Sequence, residues 1–293
     1  MRWYPQINTL DPALIRQKLT SFYDEDMPAG DPSSRLLRDL ATEPVSASFT
    51  ARSTLIFAGA AVLKEAFSAD CSLQLNVRDG QDALPGQVLA TVRGPVHELL
   101  SRERVVLNLL QRLSATATLT QQYVQAAQGD FLILDTRKCT PGLRLLEKYA
   151  VRCGGGSNHR MNLSSGIMLK DNHLAAGIPI SLIMKNARRD NPDLLLEVEV
   201  DRPDQLPDIL DSGPDALLLD NMSPDTIKIC VEIIRRHPGG GEIFIEASGG
   251  IGLQQIPLLI GSGINAVSVG ALTHSAPSVD IALDVSPAHE LFK

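Results

Sequence analysis

The stretch Leu194–Met222, LLLEVEVDRPDQLPDILDSGPDALLLDNM, reads as strand, helix, strand. Leu194–Val200 and Ala216–Leu219 are short apolar runs, and Asp204–Asp211 between them carries a helical pattern. Two such strands joined across a helix imply a βα unit and a parallel sheet. Glu197, Glu199 and Asp201 lie two apart and so share one strand face. Apolar residues on both flanks distinguish them from a solvated acidic edge.

The same rhythm runs outward in both directions after residue 130. Apolar runs recur at Phe131–Leu134, Ile167–Leu169, Ile243–Ile245 and Ala266–Val269. Helical patterns separate them at Leu143–Cys153, Ser181–Arg189, Asp225–Arg236 and Leu253–Ile260. Six strands suffice for an open α/β barrel, two short of the closed (β/α) barrel. Each run stops at polar chemistry: Asp135, Arg137 and Lys138; Lys170, Asp171 and Asn172; Glu197, Glu199 and Asp201; Asp220 and Asn221; Glu246 and Ser248; Gly270. In a parallel barrel the C-terminal strand ends share one mouth, so these sequence-distant groups become neighbours.

Before residue 130 the pattern is α+β. Asp11 and Pro12 start an amphipathic helix reaching Tyr23. Ala47–Thr50, Ser72–Val77 and Gln87–Val92 read as strands, with a helix around Phe57–Phe67 and a turn at Asp79-Gly80. A long helical stretch follows from Val96 to about Ala127, with a break expected near Ser114.

Charge locates the chemistry within this frame. Asp135–His173 holds seven Lys/Arg against three acids, a net +4 in a 293-residue chain of net −7. A positive island on an acidic molecule suits a small, highly anionic ligand; non-specific nucleic-acid binding needs basic charge spread over a face. The acidic balance also argues against a membrane-surface role, and no apolar run approaches membrane-spanning length. The N-terminus, MRWYPQINTLDP, lacks a basic segment followed by an apolar one. The four cysteines show no CxxC or CxxH spacing, so reduced thiols in a cytoplasmic protein are expected.

Within the island, Arg137, Lys138 and Lys170 close strands, while His159 and Arg160 follow the loop Gly154–Gly156. Arg forks suit carboxylates, and Lys suits phosphates as a mobile point charge. Arg144, Lys148 and Arg152 recur at helical spacing and read as a solvated face, with Glu147 among them. One glycine can cap the helix ending at Cys153; three suggest close approach by a ligand or a neighbouring chain. Cys139 reads as a small packing residue. Glu199 and Asp220 end successive strands, where paired carboxylates suit either Mg²⁺ beside a phosphate-rich ligand or general acid/base work. EASGGI (Glu246–Ile251) and SVGALTHS (Ser268–Ser275) are glycine-rich strand ends, a pattern that cradles phosphate.

DTRKCTPGLRLLEKYAVRCGGGSNHR, followed by MLKDNH, LEVEVD, LLLDNM, EASGGI and SVGALTHS, resembles the quinolinate phosphoribosyltransferase family. The match runs in order from about Glu103 to Ser275, and ERVVLNLLQRLS resembles the family's linker helix. DEDMPAGDPSS approximates its acidic Gly-Asp segment, and Cys139 stands where Thr is usual. The resemblance implies an N-terminal α/β sandwich domain over residues 1–115 and an open six-stranded, TIM-barrel-like α/β barrel over 116–275. Residues 276–293 would return to the first domain. It implies phosphoribosyl transfer from phosphoribosyl pyrophosphate to quinolinate with decarboxylation, Mg²⁺ as cofactor, and a homodimer whose active sites borrow residues from the partner. On this reading Arg137, His159, Arg160 and the partner's Arg104 grip quinolinate. Lys138 and Lys170 meet phosphate oxygens, and Glu199 and Asp220 bind Mg²⁺ or ribose hydroxyls. Ser248, Gly249, Gly270 and His274 hold the 5′-phosphate.

Overall fold

A computed structural model describes residues 4–38, 43–170, 173 and 177–286. Asp171 and Asn172, two of the strand-end polar residues, lie outside the described residues. The chain forms two compact units.

One unit comprises residues 7–121, 146–155 and 276–286. Its strands are β1 (Val45–Ala51), β2 (Leu55–Ile56), β3 (Ser72–Leu75), β4 (Asp82–Ala83) and β5 (Val88–Gly94). β1, β3 and β5 are joined from the far end of the chain by Ile281–Ser286, which pairs antiparallel with β1. The resulting four-stranded antiparallel sheet buries Ala47, Phe49, Leu89 and Val92. The helix Pro12–Asp26 starts where the Asp11 side chain accepts the Ala13 N–H, with proline at its first turn. Asp79 caps the helix Ala60–Ala66 by accepting the Gly59 and Ala60 N–H groups, and Tyr149 donates its hydroxyl to the other Asp79 oxygen at 2.6 Å.

Three expectations change here. The helix Val96–Ala126 is unbroken. Ser114 is fully buried, and its hydroxyl is engaged by the Ala58 backbone, while the Thr118 hydroxyl donates to the Ser114 carbonyl. Polar residues that could have bent the helix are thus satisfied inside it. Second, the face carrying Lys148 is not solvated: Glu147 and Lys148 are both fully buried, and Arg112 donates to Glu147 at 2.8 Å. Third, the close approach at the glycine loop is made by the chain's own helix. A Cβ at Gly154 would lie 2.3 Å from the Ala117 carbonyl oxygen, and Gly155 takes φ +84° to end the helix Arg144–Cys153.

The second unit comprises residues 4–6, 122–145 and 156–275. It holds β6 (Leu132–Leu134), β7 (Ile167–Leu169), β8 (Leu196–Val200), β9 (Ala216–Asp220), β10 (Phe244–Ser248) and β11 (Ala266–Ser268). All neighbours in the order β6-β11-β10-β9-β8-β7 are parallel, and β6 and β7 form the two edges. This is the open six-stranded α/β barrel. The strands are short and nearly continuously apolar because both faces are covered: Val198, Leu217, Leu219, Ile245, Ala247 and Val267 are all fully buried. The stretch Leu253–Leu259 is a 3₁₀ helix containing Pro257, which cannot donate to an α-helical ladder. Strand β12 (Ile281–Ser286) is the segment already paired with β1.

Candidate active site

The C-terminal ends of the barrel strands enclose a cavity of about 390 Å³. Arg137, Lys138, His159, Arg160, Lys170, Glu199, Asp220, Ser248 and Gly249 all line it. Parallel strands make this convergence possible, since each strand delivers its terminal polar residue to the same rim. A second hollow of about 440 Å³, at the N-terminal ends of β8 to β10, is lined by several prolines and the Arg188–Asp215 ion pair. It gathers no comparable set of cations.

Lys170 donates to Glu199 across the β7–β8 edge. Asp220 accepts the Asn221 side-chain amide at 2.5 Å. Asn221 adopts φ +54°, and its N–H donates to the Ser248 carbonyl. Gly249 must remain glycine: its φ is +98°, and a Cβ there would lie 2.4 Å from Asn221 Oδ1. Gly270 sits beside the rim, where a Cβ would meet Lys138 Cδ and His274 Nε2, each at 3.0 Å. The Thr273 hydroxyl donates to the Lys138 carbonyl, so the turn Ala271–His274 holds the lysine's backbone. The Cys139 thiol donates to the Thr136 carbonyl, a packing role. Arg104 lies in the other unit, exposed on the helix Val96–Ala126.

Beneath the rim lies a buried group. His159 Nε2 is 3.2 Å from Glu197 Oε2 and 3.4 Å from Glu246 Oε2, and both carboxylates are fully buried. Burial opposes a charged imidazole, while the Glu246 and Glu197 carboxylates favour a proton on the ring. Burial also pushes the Glu246 carboxyl up. Burial lowers Arg160 from its ordinary range. The Tyr4 hydroxyl donates to Glu197 at 3.4 Å, and burial raises it strongly. Glu246 carried a signal as a strand-end residue, and Glu197 as part of an acidic face. Asp135 carried the same strand-end signal, whereas Tyr4 had none as a site residue, and it reaches Glu197 from 193 positions away.

Glu199 and Asp220 fit Mg²⁺: both offer oxygen donors on the cavity wall, and this ion takes few protein ligands while keeping its waters. His159, Glu197 and Glu246 also bring donor atoms within 4.8 Å of one another. Full burial and a nitrogen donor make that group a poor match for Mg²⁺.

Residues 116–284 match the quinolinate phosphoribosyl transferase C-terminal domain, and residues 31–114 match its N-terminal domain. The chain is 43% identical over 281 residues to a probable nicotinate-nucleotide pyrophosphorylase (carboxylating) of Bacillus subtilis, covering 94% of this chain and 95% of that one. Its fold superposes on NadC from Streptococcus pyogenes with a TM-score of 0.89 at 37% identity, over 95% and 99% of the two chains. The nicotinate-nucleotide pyrophosphorylase of Francisella tularensis gives 0.88 at 31% identity, over 97% and 100%.

Proposed function

The chain belongs to the quinolinate phosphoribosyltransferase family, and from that premise we propose how its barrel mouth works. The reaction moves the phosphoribosyl group of phosphoribosyl pyrophosphate to quinolinate with decarboxylation. It yields nicotinate mononucleotide, pyrophosphate and CO₂ for NAD biosynthesis. The observation that carries the assignment of roles is the single cavity joining four cations, Arg137, Lys138, Arg160 and Lys170, to the acids Glu199 and Asp220.

Quinolinate is a dianion and phosphoribosyl pyrophosphate is strongly anionic, so their approach is unfavourable without a positive pocket. Arg137 and Arg160 grip the quinolinate carboxylates, joined by the partner's Arg104 in a homodimer. Exposure of Arg104 on its helix supports that sharing. Lys138 and Lys170 bind phosphate and pyrophosphate oxygens. Ser248, Gly249, Gly270 and His274 hold the 5′-phosphate. Glu199 and Asp220 would hold Mg²⁺ or ribose hydroxyls, and they favour positive charge developing at the anomeric carbon. When bound, the ion supplies charge neutralisation for the leaving pyrophosphate.

The quinolinate ring nitrogen attacks the anomeric carbon as the bond to pyrophosphate breaks. The pyridinium so formed stabilises the carbanion left when the 2-carboxylate departs as CO₂, and that carbon then takes a proton. No separate organic cofactor enters. The protein contributes positioning and preorganised charge. A cytoplasmic location suits four cysteines that form no disulfide among the described residues, and no helix among the described residues is long and apolar enough to cross a membrane.

The test incubates the purified chain with phosphoribosyl pyrophosphate, Mg²⁺ and either quinolinate or nicotinate. Equal amounts of CO₂ and nicotinate mononucleotide from quinolinate alone are expected, abolished by EDTA and restored by Mg²⁺. Absence of product from quinolinate would overturn the assignment. Activity indifferent to EDTA would overturn the role of Mg²⁺.

A further inference from the structure

Four side chains that the scheme above leaves unused, Tyr4, Asp135, Glu197 and Glu246, converge on His159 and Arg160. Asp135, fully buried, accepts the His159 N–H at 2.9 Å through one oxygen and the Asn158 side-chain amide at 2.6 Å through the other. His159 Nδ1 accepts the Arg160 backbone N–H at 2.7 Å. A ring nitrogen that accepts cannot also carry a proton, so the imidazole proton sits on Nε2. That nitrogen faces Glu197 and Glu246 at 3.2 and 3.4 Å. The Tyr4 ring lies 4.9 Å from the imidazole, centroid to centroid. Arg160 Nη1 donates to the Gly166 carbonyl at 3.0 Å, and a Cβ on Gly166 would come within 2.7 Å of the Tyr4 ring. The same tyrosine therefore backs both the imidazole and the peptide that holds the guanidinium.

Placing two carboxylates side by side in a barrel interior is unfavourable unless they are paired. Here they are paired to one imidazole whose other nitrogen is held by the next residue's amide. Nδ1 is taken by the Arg160 amide, and Nε2 lies against the two carboxylates.

We propose that His159 is a positioning residue and not a quinolinate ligand: Glu197 and Glu246 fix its tautomer and orientation, and the ring fixes Arg160. This rests on the reading of Arg160 as a quinolinate ligand, and the experiment separates the two. The full-length enzyme is assayed as wild type, Glu246→Gln, Arg160→Ala and the double variant, with KM for each substrate. Glu246→Gln is expected to raise KM for quinolinate roughly tenfold, the scale of one hydrogen bond to a charged group. In the Arg160→Ala background it should add less than about twofold, because residues acting through one another are non-additive. KM for phosphoribosyl pyrophosphate should stay within about twofold in Glu246→Gln, a shift ordinary for a site it does not touch.

An undiminished Glu246→Gln effect in the double variant would overturn the inference. Normal quinolinate KM in Arg160→Ala would instead remove Arg160 from the site. Should Glu246→Gln fail to fold, ¹⁵N spectra of the imidazoles in the wild-type enzyme decide. The proposal requires His159 protonated at Nε2 and bare at Nδ1, unchanged when quinolinate is added. An Nδ1 proton appearing with quinolinate would overturn it.

Discussion

Glu197 and Glu199 sit two residues apart on β8 and point to the same side, yet they meet different surroundings. Glu199 reaches the cavity with an 11% exposed side chain and accepts from Lys170; Glu197 has no exposure and faces His159. β10 repeats the contrast, with Glu246 fully buried and Ser248 half-exposed at the rim. One step of two residues, about 7 Å of strand, separates groups on the cavity wall from groups packed against other side chains. The rim is free to be specified by chemistry, whereas the layer beneath must satisfy every charge internally.

The largest difference between the layers should appear in catalysis. Arg137→Ala is expected to cost about 2–4 kcal/mol of transition-state stabilisation, roughly 30- to 1000-fold in kcat/KM. Its urea-unfolding midpoint should remain close to wild type; near-normal turnover would remove Arg137 from the rim. Sharing of that rim between subunits is tested by mixing chains. Subunit exchange between Arg104→Ala and Lys170→Ala enzymes should restore a fraction of activity, because some hybrid sites then carry both residues. No recovery under demonstrated exchange would show that each site is self-contained.

Stability should show the reverse order. Glu197→Ala leaves a buried imidazole N–H with one acceptor fewer and should lower the unfolding free energy by about 1–3 kcal/mol. Glu199→Ala removes a partly exposed ion pair and should cost no more than about 1 kcal/mol. Equal losses measured by urea unfolding would erase the distinction between rim and buried layer.

Much of this was legible in the sequence. Ile167–Leu169 and Ala216–Asp220 are apolar runs with polar ends, and a parallel barrel sends those ends to one mouth. The positive island and the acids from later strands met there because topology, not sequence proximity, assembles the site. What periodicity could not supply was depth. It put Glu197 and Glu199 on one face but could not tell that one is buried and the other reaches the cavity. Lys148 shows the same limit, since helical spacing marked a face as charged while packing buried it. Ser114 misled for a related reason: a polar residue within a helix looks like a break until tertiary contacts engage its hydroxyl. Tyr4 lies beyond any local pattern, because its partner is 193 residues distant.

The most direct test of the two-layer account is calorimetric titration of quinolinate into wild type, Glu197→Gln and Glu199→Gln enzymes, paired with turnover. The account predicts quinolinate affinity weakened roughly tenfold by Glu197→Gln. It predicts affinity retained within about twofold in Glu199→Gln, with turnover lost because that carboxylate serves the phosphoribosyl half of the reaction. If both variants respond alike, or if Glu199→Gln is the one that loses quinolinate, the division between rim and buried layer is wrong.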